Sequence, residues 1–238
     1  MKQGFVKVAS ATPRIRVADP VYNAQVICEQ AKEAAEHGAK IVVFPELCIT
    51  GYTCNDLFLQ ELLLEKAKEA LLTIAEETGQ LETLFLVGLP VDKDGRLYNV
   101  AAVLYRGRIL GMIPKKNIPM YAEFYEGRHF TPGEETVTEY RLGKQVIPFG
   151  SNLLFRCEEL PELILGCELC EDLWVAEPPS TSHALMGATV IANLSASNET
   201  VSKDDYRTLL IKASSARLLC GYIYTSAGEG ESTQDLVF

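Results

Sequence analysis

The sequence predicts a layered α/β fold built on a mixed β-sheet. Three observations carry this: apolar residues at helical spacing in long stretches, short continuous apolar runs between them, and Gly-containing dipeptides joining consecutive runs. The first apolar run is a strand at 5–10. A helix follows, with Asp19 placed to cap it, Pro20 suited to its first turn and Gly38 to end it. Val21, Ala24, Ile27, Cys28, Ala31, Ala34 and Ala35 share its apolar face. The run at 41–44 is a buried strand that stops at Pro45, and a second helix spans 56–78, closed by Gly79. Strands at 84–89, 97–105 and 108–113 are joined by Asp94-Gly95 and Arg106-Gly107, which predicts two successive hairpins. The stretch 114–133 is loop-rich. Strands follow at 146–149, 153–157, 163–169 and 190–194. Ser202 with Asp205 three residues on is a capping-box pattern for a helix reaching Leu219, and a last strand covers 221–226.

A chain of 238 residues, 47% of them hydrophobic, buries a sizeable core, and no repeat or charged linker divides it. The expectation is one domain, 1–238. The terminal run Leu236-Val237-Phe238 is of the kind found inside domains, so the chain reads as cut at that end. Lys plus Arg number 22 against 32 Asp plus Glu, a net charge of −10 that repels phosphate backbones and anionic membranes. Neither nucleic acid nor a membrane is expected as partner. No charge-free apolar run reaches the roughly 18 residues of a spanning helix, and the first twenty residues hold no signal-peptide core. The seven cysteines, an odd count, argue against a disulfide framework. A cytoplasmic protein is expected.

Three segments place a reactive side chain just beyond an apolar strand, where open α/β sheets build their sites: Pro45-Glu46, Pro114-Lys115-Lys116 and Cys170-Glu171-Asp172. Taken singly, the Glu and the Lys pair are ordinary surface charge. Together they suit amide hydrolysis through a thioester. A carboxylate takes the thiol proton, an ammonium favours the thiolate and then stabilises the oxyanion, and the protonated carboxyl returns its proton to the leaving amine. Alternatives are weaker. Cys167 and Cys170 have C-x-x-C spacing, but no second pair exists and His183 stands alone downstream, so no metal site is expected. A Cys–His arrangement would have to use His129 or His183, since His37 sits where a helix end is capped. No G-x-G-x-x-G or Walker A pattern is present.

At these residues the chain resembles the nitrilase (carbon–nitrogen hydrolase) superfamily. The matching pieces are VVFPELCITGY at 42–52, PKKNIPMYAEFYEGRHFTPG at 114–133, GCELCEDLW at 166–174 and NLSASNETVSK at 193–203. Together with the terminal AGEGESTQDLVF, they are most similar to the glutaminase branch of that family, which is fused to NAD+-forming synthetases. The resemblance implies a four-layer α-β-β-α sandwich that hydrolyses L-glutamine, with Glu46, Lys115 and Cys170 as the catalytic set. Lys115 is preferred to Lys116 because it stands three residues before the aliphatic Ile118. It further implies Glu126 as a second glutamate, with Glu123 as fallback. Tyr52, Tyr121, Phe124, Glu171, Trp174, Ser197 and Lys203 are implied as the substrate pocket, Lys203 standing where relatives often carry Arg. No cofactor is implied for this domain. ATP, Mg2+ and deamido-NAD+ belong to a C-terminal synthetase domain whose S-G-G-x-D-S loop is absent here, and homo-oligomers are expected. A free-standing amidase and a non-catalytic assembly module are the alternatives.

Overall fold

In the computed structural model, which describes residues 4–233 and 235–238, the strands sort into two sheets. Gln234, within the terminal motif, lies outside the described residues. Strand β1 (Val8–Ser10) runs parallel to β2 (Ile41–Val43), and helix α1 (Pro20–Glu36) connects them. Asp19 caps α1 as expected, its Oδ1 accepting the Tyr22 N–H at 3.1 Å, and Gly38 leaves the helix at a φ of 83° that favours glycine. The second helix, α2 (Glu61–Glu77), begins later than its apolar pattern suggests. Residues Tyr52–Leu59 form kinked 3-10 turns instead, because Asn55 takes a left-handed φ of 49° that no α-helix tolerates.

Strands β3 (Leu84–Lys93), β4 (Arg96–Tyr105) and β5 (Arg108–Pro114) form the two hairpins. Asp94-Gly95 and Arg106-Gly107 all have positive φ, between 47° and 75°, the turn geometry that matches strand twist. Strands β6 (Thr138–Leu142) and β7 (Gln145–Phe149) complete a seven-stranded sheet ordered β1-β2-β3-β4-β5-β7-β6. Strand β6 escaped the sequence pattern because only Tyr140 and Leu142 are buried among polar neighbours.

The second sheet is ordered β11-β10-β9-β8, from β8 (Phe155–Arg156), β9 (Ile164–Leu169), β10 (Val190–Ser195) and β11 (Gly221–Ser226). Here β9, β10 and β11 are parallel, and the strand expected at 153–157 is reduced to two paired residues. Helix α3 (Pro179–Leu185), seven residues long, shows too little periodicity to read from sequence. Helix α4 (Lys203–Leu218) starts where expected, but not by the expected cap. Ser202 has a φ of 65°, not the extended backbone an N-cap needs, and its side chain makes no cap bond. Asp204 and Asp205 in the first turn complement the helix dipole instead.

Four layers result. Ile27, Ala31, Leu71 and Ile74 of α1 and α2 pack on Phe85, Val87 and Ala102 of the first sheet. Ile41, Val43, Leu86, Val103 and Ile113 meet Leu165, Cys167, Leu169, Ala192 and Leu194 between the sheets. Ile191 and Tyr222 pack with Ala184 and Leu218 of the outer helices α3 and α4. This is the α-β-β-α sandwich. Among the described residues no helix is long and apolar enough to cross a membrane. The fold sets Glu46, Lys115 and Cys170 just past the carboxyl ends of β2, β5 and β9.

Candidate active site

Glu46 sits in a turn shaped by the strand beneath it. Leu47 takes a left-handed φ of 50°, and the Ile49 N–H donates to the Gly88 carbonyl of β3 at 3.1 Å. A Cβ at Gly88 would lie 2.3 Å from the Leu47 nitrogen, so only glycine lets β3 pass under the turn. At the end of β10 the Ala196 N–H donates to Glu46 Oε2 at 2.9 Å, and the Glu46 N–H donates to the Ser195 carbonyl at 3.3 Å. The carboxyl is thereby held between the two sheets.

Lys115 is held by its backbone, donating its N–H to the Asn99 carbonyl at 2.8 Å and accepting the Gly133 N–H at 2.7 Å. Its Nζ donates to Glu46 Oε1 at 2.7 Å and to Glu126 Oε1 at 2.5 Å. None of these three side chains is more than 5% exposed, so water screens none of the charges. Burial works against the Lys115 ammonium, but Glu126 and Glu46 outweigh it and hold its pKa well above the ordinary value. Burial pushes the Glu126 carboxyl up, while Lys115 pulls it down. Asn99 Nδ2 donates to Glu46 Oε1 at 2.7 Å and to Glu126 Oε2 at 3.4 Å, and the Tyr52 hydroxyl donates to Glu126 Oε1 at 2.7 Å.

Cys170 opens a short 3-10 turn after β9 with a φ of 41°, a strained position for a side chain with a Cβ. Asp172 fastens that turn to the segment after Lys115. Its carboxylate accepts the Leu169 N–H at 3.0 Å, and the Asn117 N–H and Nδ2 at 2.8 Å each. Burial, and then Glu46, push the Cys170 thiol up, and the opposing pull of Lys115 does not cancel them. The pull of Lys115 has the direction expected of an ammonium beside a thiol, and the rise leaves the thiol in need of a base, the part expected of a carboxylate.

Cys170 borders a cavity of about 390 Å³ with Tyr121, Phe124, Glu171, Trp174, Ser197 and Lys203. Six of the seven residues expected in the pocket are thus brought together. The Tyr121 hydroxyl donates to Glu171 at 2.9 Å, and Lys203 Nζ lies 5.5 Å from the centres of both the Phe124 and Trp174 rings. Lys203 also donates to Asn198 Oδ1, whose amide nitrogen donates to Glu123 at 2.5 Å. Tyr52 stands apart from this cavity. It lies behind Glu126, beside a smaller space lined by Phe58, His129 and Phe130, because its hydroxyl is committed to the Glu126 carboxyl.

With this geometry in place, comparison with known proteins decides the family. The carbon-nitrogen hydrolase family profile matches residues 7–227. The chain belongs to that family. A glutamine-dependent NAD(+) synthetase of Mycobacterium tuberculosis is 43% identical over 237 residues, covering 100% of this chain and 35% of the relative. A crystal structure of a glutamine-dependent NAD(+) synthetase from Cytophaga hutchinsonii superposes with a TM-score of 0.82 at 29% identity, over 94% of this chain and 37% of that one. An amidase from Nesterenkonia sp. shares the fold at 20% identity, with a TM-score of 0.72 over 100% of this chain and 81% of the amidase. The chain spans about a third of the length of the synthetases it matches.

The residues of the competing readings lie elsewhere in the fold. His183 packs on Gly166 and its Nε2 contacts the Ser151 carbonyl at 2.9 Å, while His129 pairs with Asp56 at 2.9 Å. Neither touches Cys170. Cys167 is buried between the sheets, and among the described residues no three His, Cys, Asp or Glu side chains converge as a metal site. The structure also brings to this site residues outside the expected set. Asn99 carried a signal, being a polar residue inside the apolar run of β4. Asp172 was noted only as a carboxylate following Cys170, and Asn198 only as part of the motif at 193–203.

Proposed function

We propose that this chain hydrolyses the side-chain amide of L-glutamine through a Cys170 thioester. The observation that carries the reading is Lys115 held between Glu46 and Glu126 beside a thiol that borders a cavity of mixed charge. Cys170 Sγ attacks the amide carbon and its proton passes to Glu46. Lys115 stabilises the oxyanion, and Glu46 returns the proton as the C–N bond breaks and ammonia leaves. A water molecule, deprotonated by Glu46, then opens the thioester to glutamate and restores the thiol. Glu126 fixes Lys115 and shares its charge. An amino acid brings an α-carboxylate and an α-ammonium. Lys203 suits the first, and Glu171 and Glu123 suit the second, so both ends of glutamine find a partner in one cavity.

The name of the mycobacterial relative joins glutamine use to NAD(+) synthesis. On this reading the chain is a glutaminase domain over 1–238, and its ammonia amidates deamido-NAD+ on a synthetase domain that uses ATP and Mg2+. The chain works in the cytoplasm, itself needs no cofactor, and self-associates, which light scattering would read. The deciding experiment measures ammonia release from L-glutamine, L-asparagine and propionamide side by side. Glutamine is expected to turn over fastest, with no release from Cys170→Ala. Faster propionamide turnover would make the chain an amidase of another substrate. No release from any amide by the folded chain would leave the assembly-module reading.

A further inference from the structure

Glu231 lies far from Cys170 in sequence and makes no contact with the 390 Å³ cavity, yet its side chain is only 1% exposed. Its carboxylate is spent on the backbone of the turn that carries Tyr52. Oε1 accepts the Thr53 N–H at 2.9 Å and the Thr53 hydroxyl at 3.1 Å, and the Glu231 carbonyl accepts that same hydroxyl at 3.0 Å. The segment bearing Glu231 is wedged in place. Gly230, at a φ of 94°, presses so close to Ile15 that a Cβ would sit 2.0 Å from the Ile15 oxygen, and the Ile15 N–H donates to the Glu229 carbonyl at 3.2 Å. From the turn that Glu231 grips, the Tyr52 hydroxyl reaches Glu126, and Glu126 reaches Lys115.

We propose that Glu231 is a positioning residue for the hydrolysis: by gripping Thr53, the residue after Tyr52, it aims the Tyr52 hydroxyl at Glu126 and so sets the charge balance around Lys115 and Cys170. This deepens the proposed function and rests on it for its catalytic meaning, but the linkage has its own physical readout. Burying a carboxylate beside the Thr53 N–H and hydroxyl is costly unless the bonds are made. Its loss therefore frees the turn rather than the cavity. The cavity walls at Tyr121, Glu171, Trp174 and Lys203 are left alone, so substrate affinity should hold while the chemical step slows.

The test compares the full chain with Glu231→Ala, Glu231→Gln, Tyr52→Phe and the Tyr52→Phe/Glu231→Ala double variant. With glutamine, Glu231→Ala is expected to lower kcat about tenfold with KM within about threefold, because a displaced positioning group costs rate more than binding. Glu231→Gln, whose amide oxygen still accepts from the Thr53 N–H and hydroxyl, should stay within about threefold of the parent. The double variant should be no slower than Tyr52→Phe, since both changes break one linkage. Alkylation of Cys170 by iodoacetamide, followed by peptide mass spectrometry across pH, needs no turnover. There Glu231→Ala and Tyr52→Phe should move the midpoint in the same direction, and the double variant no further. Multiplying kcat losses, additive midpoint shifts, a raised KM with kcat intact, or a Glu231→Gln as slow as Glu231→Ala would each overturn the proposal. A parent chain that releases no ammonia, yet keeps the non-additive midpoint shifts, would overturn the functional reading while upholding the linkage.

Discussion

Burial, and then Glu46, push the Cys170 thiol up, so in the proposed mechanism the nucleophile is made as Glu46 accepts its proton. Three substitutions separate the roles. Cys170→Ala should abolish ammonia release and leave the fold intact, since alanine tolerates the same backbone at the cost of one small group. Glu46→Gln and Lys115→Ala should each lose on the order of 10²–10⁴-fold in kcat, the usual worth of a general base and of an oxyanion partner. Lys116→Ala should change little, because Lys116 pairs with Glu135 at the surface. Equal losses at Lys115 and Lys116 would reassign the ammonium. Access orders the thiols: Cys170 borders the cavity, and Cys28, Cys48 and Cys54, all buried, do not. A chloroketone analogue of glutamine should label Cys170 first among the seven cysteines, and earlier labelling at Cys54, Cys157 or Cys167 in mass spectra would contradict the assignment.

Strands and turns supply the rigidity that these side chains need. The Glu46 turn rides on β3 at Gly88, and the Cys170 turn is fastened to the Lys115 segment by Asp172. Gly88→Ala forces the Leu47 backbone to move. Overpacking of this kind costs typically about 1–3 kcal/mol, and a shift near 1 Å at a reacting group costs roughly 10²-fold in rate. The expected outcome is a modest fall in the urea midpoint with a much larger fall in kcat. A stability loss with kcat intact would show that the turn moves without carrying Glu46.

For the molecule as a whole, the αββα stack buries acids that titrate near neutrality. Burial pushes Glu168 and Glu231 up to about 7. In the unfolded chain a glutamate titrates at about 4.3, so between these values the folded state binds more protons. The stability from each is complete below the unfolded value and lost as pH rises through about 7, up to about 4 kcal/mol per group. His183, whose pKa burial lowers, works the other way and loses stability as pH falls below its ordinary 6.5. The difference between the parent and Glu168→Gln isolates the first effect: in urea melts from pH 5.5 to 8, the parent should lose more stability than the variant. Parallel curves would mean that Glu168 keeps its proton throughout.

Local pattern carried much of this protein. Asp19 and Gly38 bounded α1, the two Xaa-Gly turns defined the hairpins, and the reactive residues were visible as the first polar groups past the apolar strands 41–44, 108–113 and 163–169. Caps, turns and periodicity depend on neighbours a few residues away, so a chain displays them before it folds. Where local signals conflicted with long-range contacts, the contacts won: Asn55 broke the early turns of α2, and Ser202 failed as a cap. The site required the stacked layers. Only the packing of one sheet on the other brings the Ala196 N–H to Glu46 and Asp172 to Asn117, and the meeting of two loops beyond the first sheet takes Tyr52 to Glu126 rather than to the cavity. Burial then sets the protonation of Cys170 and Glu231, because the cost of charge depends on the water that tertiary structure removes and not on sequence neighbours.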